Sequence, residues 1–358
     1  MKETTHSPEK AYPTHYVGVG ASAGGLEAIE KFITTMPSQN SLAFIIVQHL
    51  SPDYKSLMVE LLTKKTEMPV HRAEEGMEVY AGNIYLIPPK KNLTIFHGKL
   101  LLKDKSPQEG INLPIDIFLQ SLAEDQAEKA IAIILSGTGS DGARGVRAIK
   151  ENNGMVMVQD ESSAKFDGMP RAAISTGTAD YILTPEKMPD QLLSYIAHPY
   201  ISGKKLSSAL LDDVDSLTRL FAAIRSKTKA DFTHYKPSTI SRRIERRMTV
   251  NQITDFDEYV RYLTSFPGEV MALYREMLIG VTSFFRDKEA MEELGSSVLP
   301  ALLKRVKDRE IRCWVAGCST GEEAYTLAIM FKELMEEHKI GHDVKIFATD
   351  IDREAIIK

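Results

Sequence analysis

Three residues of the types that combine in nucleophilic catalysis sit at the ends of short apolar runs: Ser22 after YVGVGA, His49 after LAFIIVQ and Asp141 after AIAIILSGTGS. A serine hydroxyl becomes a nucleophile when an imidazole takes its proton, and a carboxylate can fix the imidazole tautomer and stabilise the imidazolium. Gly20-Ala21-Ser22-Ala23-Gly24 has the G-x-S-x-G pattern of a turn that exposes a hydroxyl between a strand and a helix. The same stretch also reads as G-x-G-x-x-A, with Gly18 and Gly20 admitting a pyrophosphate at a helix N-terminus. That second reading needs an acidic residue at the end of the next strand to hold ribose hydroxyls. The strand ends instead in Gln48 and His49, which disfavours a nucleotide-dependent oxidoreductase.

The elements that must position these residues follow from periodicity. YVGVG is followed by LEAIEKFITTM, LAFIIVQHL by SLMVELLTKK, and AIAIILSG by ARGVRAIKEN. Strand-then-helix repetition predicts a doubly wound parallel sheet, whose ligand crevice lies beyond the carboxyl ends of its strands. Three strand ends can therefore deliver Ser22, His49 and Asp141 to one edge. Their chain order differs from that of α/β-hydrolases, chymotrypsin and subtilisin, so none of those folds is expected. The stretch GNIYLIPPKKNLTIFHGKLLLKD reads as hairpin-like extended pieces turning at Gly98, and GMVMVQD and ADYILT as two further strands. His15, His71 and His97 have no such partners and read as structural.

Residues 16–197 resemble the catalytic domain of chemotaxis protein-glutamate methylesterases, through GASAGG, VQHL, PVHRAEEGMEVYAGNIYLIPP, LSGTGSDGARG and FDGMPRAAI. The resemblance implies Ser22, His49 and Asp141 as nucleophile, base and acid, with the backbone amide of Thr138 stabilising the oxyanion. The reaction it implies is hydrolysis of a glutamate γ-methyl ester to methanol and glutamate without a cofactor. Deamidation of receptor glutamine is implied as a second activity. Two departures stand out. Ala23 replaces the usual threonine, removing a hydroxyl that could help orient His49, and many members carry methionine at the Thr138 position. The family's phosphoacceptor receiver domain is not expected ahead of Tyr16, so control by phosphorylation in cis is not expected either.

Beyond a Pro-, Gly-, Ser- and Lys-rich stretch over 198–208, read as a linker, residues 209–280 are helical in pattern. Within STISRRIERRM, Arg242, Arg243, Arg246 and Arg247 recur at helical spacing as a basic face. From 281 to 358 the α/β texture returns and stops after a second strand, which predicts the truncated start of a Rossmann-like domain. IGVTSFFRD, CWVAGCSTGEEAYTLA and KIFATDID together resemble chemotaxis protein-glutamate methyltransferases that use S-adenosylmethionine. That resemblance implies cofactor contacts from Thr282, Arg286, Glu322 and Asp350, and docking of the basic face on acidic receptor helices. Gly280 stands where many members have asparagine.

Composition sets the outer limits. The chain has 358 residues, 43% hydrophobic and 26% charged, with a net charge of -5, enough for two or three folded domains and no reason to expect nucleic-acid binding. The two cysteines, Cys313 and Cys318, form neither a disulfide framework nor a zinc site and read as packing residues. There is no signal-peptide core and no apolar window long enough to cross a bilayer. The expectation is a soluble cytoplasmic methylesterase, in a domain spanning 14–197, fused to part of a methyltransferase of low activity. Its partners would be the cytoplasmic helices of methyl-accepting chemoreceptors or related signalling proteins, with no membrane insertion and no metal. The alternative is a receptor-binding scaffold without turnover.

Overall fold

The computed structural model describes residues 11–48, 58–105, 112–201, 213–280, 282–306 and 310–357, so His49 lies outside the described residues. The chain forms two compact units: Met1–Lys204 with Thr249–Thr254, and Lys205–Met248 with Asp255–Lys358.

The strands of the first unit are β1 (His15–Ala21), β2 (Leu42–Gln48), β3 (Val70–Arg72), β4 (Met77–Glu78), β5 (Asn83–Leu86), β6 (Lys91–Phe96), β7 (Lys99–Asp104), β8 (Ala130–Ile134), β9 (Met155–Gln159) and β10 (Tyr181–Leu183). Seven of them form one sheet in the order β10-β9-β8-β1-β2-β5-β3. Every pairing in it is parallel. Its helices are α1 (Gly25–Thr35), α2 (Met58–Thr63), α3 (Pro114–Gln126), α4 (Ala143–Glu151), α5 (Gly168–Ser175) and α6 (Met188–Ala197).

Side chains alternate between two apolar layers, as the pleat of a sheet covered on both faces requires. Ala43, Ile45 and Val47 of β2 and Ala132 and Ile134 of β8 pack with Phe118 and Leu122 of α3 and Val146 of α4. Phe44 and Ile46, with Ile131 and Ile133, pack on the other face against Ile29 and Phe32 of α1 and Leu192 of α6. Gly18 and Gly20 of β1 lie where α3 crosses the sheet. A Cβ on Gly18 would stand 2.7 Å from Leu119 Cδ2, and one on Gly20 would stand 2.5 Å from Ile115 Cγ2. These two glycines serve close helix–sheet packing, and the space that the dinucleotide reading would give to a pyrophosphate is filled by α3.

One expectation changes. The run Asn83–Leu86 joins the main sheet, parallel to β2 and β3, because its Ile84, Tyr85 and Leu86 are buried and suit an interior strand. The hairpin is β6–β7 alone, joined by β4 in a separate three-stranded sheet. It turns at His97 and Gly98, both at positive φ (49° and 69°), whose amides both donate to the Asp125 carboxylate.

The second unit contains the helices α7 (Val214–Thr228), α8 (Pro237–Val250, of which it holds the residues up to Met248), α9 (Phe256–Ser265) and α10 (Pro267–Met277). It continues with α11 (Lys288–Glu293), α12 (Leu299–Arg305), β11 (Ile311–Ala316), α13 (Glu322–His338), β12 (Val344–Thr349) and α14 (Arg353–Ile357). Strands β11 and β12 pair in parallel, so β11, α13 and β12 make the β-α-β unit read from the sequence.

Candidate active site and cofactor cavity

The strand order reverses direction around β1, which has β2 on one side and β8 on the other. Ligands of open parallel sheets bind in the crevice at such a switch point. Ser22 follows β1 there and is half-buried, with Gly24 at φ 71° as the N-cap of α1. The sharp turn is closed by the Gly25 amide, which donates to the Ser22 carbonyl at 2.9 Å.

Ser136, at the end of β8 and 1% exposed, ties that turn down. Its carbonyl accepts the Ser22 amide at 3.0 Å. Its hydroxyl donates to the Ala23 carbonyl at 2.9 Å and accepts the Phe166 amide at 3.0 Å. Its own amide donates to Gln159 Oε1 at 2.8 Å. The next residue has to be glycine, since a Cβ on Gly137 would lie 2.9 Å from Ser22 Cβ and 2.1 Å from Met169 Sδ. Sequence reasoning missed Ser136, although a serine between a buried strand and a glycine-rich loop was a visible signal.

Thr138 is exposed in the same loop, followed by Gly139 at φ 84° and Gly142 at φ 96°. Asp141 is buried, and its two carboxylate oxygens accept the amides of Ile115 at 3.0 Å and Asp116 at 2.9 Å, in the first turn of α3. Asp116, also missed from the sequence, is buried and accepts the Gly145 amide at 2.7 Å. Burial, more than the neighbouring Asp141 charge, raises the Asp116 pKa above the usual carboxylate range. Ser22 and the Thr138–Asp141 loop thus stand at the ends of neighbouring strands. On the other side of β1, Ala21 is in register with Gln48, the residue before His49.

In the second unit a cavity of about 220 Å³ is lined by Thr282, Arg286 and Asp350, with Gly317, Ser319 and Tyr235 around them. Asp350 Oδ2 accepts the Ser319 amide at 2.7 Å, and Oδ1 accepts the Asp352 amide at 2.7 Å. Glu323 lines the cavity. Glu322, expected there, is not among the lining residues and accepts the Thr320 hydroxyl at 2.5 Å. Gly280 also lines the cavity, and a Cβ on it would stand 2.5 Å from Ser319 Oγ, so an asparagine at this position does not fit unless Ser319 moves.

The basic face expected on α8 is corrected by burial. Arg242 is exposed, while Arg243, Arg246 and Arg247 are 6%, 7% and 9% exposed. Arg246 Nε donates to Glu276 at 3.1 Å, and Arg247 makes a two-pronged pair with Glu269 at 2.9 and 2.7 Å. Tyr259 donates to the same Glu269 at 2.9 Å. The acidic partners lie on α10, distant in sequence, which is why the arginine spacing alone read as a solvent-facing stripe.

Residues 17–192 match the CheB methylesterase family. A protein of Leptospira interrogans with the provisional name protein-glutamate methylesterase/protein-glutamine glutaminase is 34% identical over 171 residues, covering 48% of this chain and 89% of that protein. The chain belongs to the CheB methylesterase family. The crystal structure of the CheB methylesterase catalytic domain of Thermotoga maritima is 31% identical, covers 50% of this chain and 97% of its own, and superposes with a TM-score of 0.47. The rest of the chain is not CheB. Residues 215–278 match the all-alpha domain of CheR methyltransferases and residues 280–358 their SAM binding domain. An uncharacterised 104.1 kDa protein of Rhodobacter capsulatus spans both parts, 38% identical over 317 residues that cover 82% of this chain. The chain spans only 33% of the Rhodobacter protein's length. Among the described residues no helix is long and apolar enough to cross a membrane.

Proposed function

We propose that this chain hydrolyses glutamate γ-methyl esters on chemoreceptors, with deamidation of glutamine as a second activity. The observation that carries the reading is Ser22, held in a sharp turn at the sheet's switch point beside the loop that bears Asp141. In this reading the Ser22 hydroxyl attacks the ester carbonyl carbon while His49 takes its proton. The Thr138 amide meets the oxyanion, and the leaving methoxide departs as methanol with the proton from His49. Water, activated by His49, then releases glutamate and regenerates Ser22. Asp141 holds the imidazole in the productive tautomer. General base assistance contributes about 10²–10⁴-fold and each oxyanion donor about 10²–10³-fold.

The domain arrangement that goes with this reading is an esterase over 14–197, a linker over 198–208, a helical domain over 209–280 and a cofactor-binding segment over 281–358. The cavity suits S-adenosylmethionine, which supplies the transferable methyl group when bound. Arg286 and Thr282 would meet its carboxylate, and Asp350, with oxygens fixed by two backbone amides, its ribose hydroxyls. The exposed Arg242 is left as the guanidinium of α8 facing an acidic receptor helix. The compartment is the cytoplasm, where receptor methylation sites lie.

The deciding experiment is methanol release from methylated receptor fragments by wild type and Ser22→Ala. Turnover confined to the wild type supports the esterase. Receptor binding without turnover in either would replace it with the scaffold. Calorimetric titration with S-adenosylmethionine, with Asp350→Ala alongside, tests the cavity separately.

A further inference from the structure

The loop that carries Asp141 has little means of holding itself in place. Gly137, Gly139 and Gly142 interrupt it, the last two at positive φ, and Thr138, Gly139 and Ser140 are exposed. Its Gly137 end is tied to Phe166 and Met169 by backbone bonds, and its Asp141 end is held from α3 and α4, as the capping of those two helices shows. Neither has a local side-chain cap: the N-cap residues, Leu113 of α3 and Gly142 of α4, make no side-chain hydrogen bond. An uncapped helix start leaves amides that must find acceptors elsewhere when buried. Each helix here finds them on the other. Asp141, just before α4, accepts the Ile115 and Asp116 amides of α3. Asp116, inside α3, accepts the Gly145 amide of α4. One residue therefore stands in both halves of the exchange, since the Asp116 amide holds Asp141 and the Asp116 carboxylate holds the helix that Asp141 precedes.

We propose that Asp116 is a positioning residue of the esterase, locking Asp141 in place through this reciprocal capping of α3 and α4. The inference rests on Asp141 being the acid of the proposed triad. Asp116 itself need not meet the substrate. Two amides at the positive end of α3, each within 3.0 Å, hold the carboxylate of Asp141, and the Asp116 carboxylate holds the start of α4 through the Gly145 amide. Losing one link frees a glycine-rich loop by a fraction of an ångström, and misplacements of that order cost about 10–100-fold in rate.

The test is steady-state methanol release by the full chain as wild type, Asp116→Ala, Asp116→Asn and Asp141→Ala, with folding checked by circular dichroism and active sites counted by a serine-directed probe. For folded Asp116→Ala, kcat per active site is expected to fall about 10–100-fold with KM within about twofold. Asp116→Asn, which keeps an acceptor for Gly145 but loses the charge, should recover part of that loss. A purely structural role would lower the number of active sites and leave kcat per site unchanged. Folded Asp116→Ala with kcat per site within about twofold of wild type, alongside an inactive Asp141→Ala, overturns the inference and leaves the triad standing. An active Asp141→Ala overturns both. If Asp116→Ala does not fold, Asp116→Asn decides: a drop of about threefold or more in kcat at unchanged KM supports the lock, and full activity overturns it.

Discussion

The amide of Ser22 donates to the carbonyl of Ser136 at 3.0 Å, so the proposed nucleophile on β1 is registered against the end of β8 by a backbone bond that any residue at 136 could make. What only Ser136 adds is the hydroxyl bridging Ala23 and Phe166. Ser136→Ala should remove both hydrogen bonds of this part-buried bridge and cost about 0.5–1.5 kcal/mol. It should also lower ester hydrolysis, because the turn is held less firmly. Urea denaturation and methanol release measure the two effects, and a variant unchanged in both would show that the bridge is dispensable.

Gly20→Ala tests whether the glycines of β1 are there for packing. The new Cβ would sit 2.5 Å from Ile115 Cγ2, in a layer with no free space, and the expected destabilisation is about 1–3 kcal/mol. Thermal unfolding reads it directly. A variant as stable as the wild type would mean that α3 can shift away from the sheet.

The arginines of α8 divide by burial. Glu276→Ala removes the carboxylate that pairs with Arg246 and faces Arg243, and breaking a buried pair in this way costs about 3–5 kcal/mol. Arg242→Ala, at an exposed position, should change stability by less than about 0.5 kcal/mol. If equilibrium unfolding finds the two equally mild, the buried network contributes little.

His15 supplies a pH dependence. Burial first, and then the nearby Lys129, lower its pKa from 6.5 to about 4, so the folded protein keeps the ring neutral where the unfolded chain protonates it. The unfolded state binds more protons between those two values, and stability therefore falls as pH drops from 6.5 to about 4. The full shift corresponds to roughly 3 kcal/mol as an upper figure. Denaturant midpoints for wild type and His15→Gln across that window should converge as the pH falls, and parallel curves would exclude His15 as the source.

Much of this protein was legible in its sequence, for reasons that are local. Buried parallel strands need unbroken apolar runs, and LAFIIVQ and AIAIILSG supply them as β2 and β8. A nucleophile turn needs small residues around a serine, and Gly20 to Gly24 supply those. The order of strand and helix segments was enough to place Ser22 and the Asp141 loop at strand ends. What the linear pattern could not decide was which partner each polar group would take. The arginines of α8 read as a surface stripe because Glu269 and Glu276 are brought to them only by packing, and Asp116 looked like an ordinary helix residue until α4 met α3. Gly18 and Gly20 read as parts of a phosphate loop or a nucleophile turn, and their packing role under α3 became visible only in the tertiary structure. Strand and helix periods depend on neighbours in the chain, whereas the pairing of a buried charge or the filling of a glycine's empty side depends on residues distant in sequence, and tertiary structure alone brings those together.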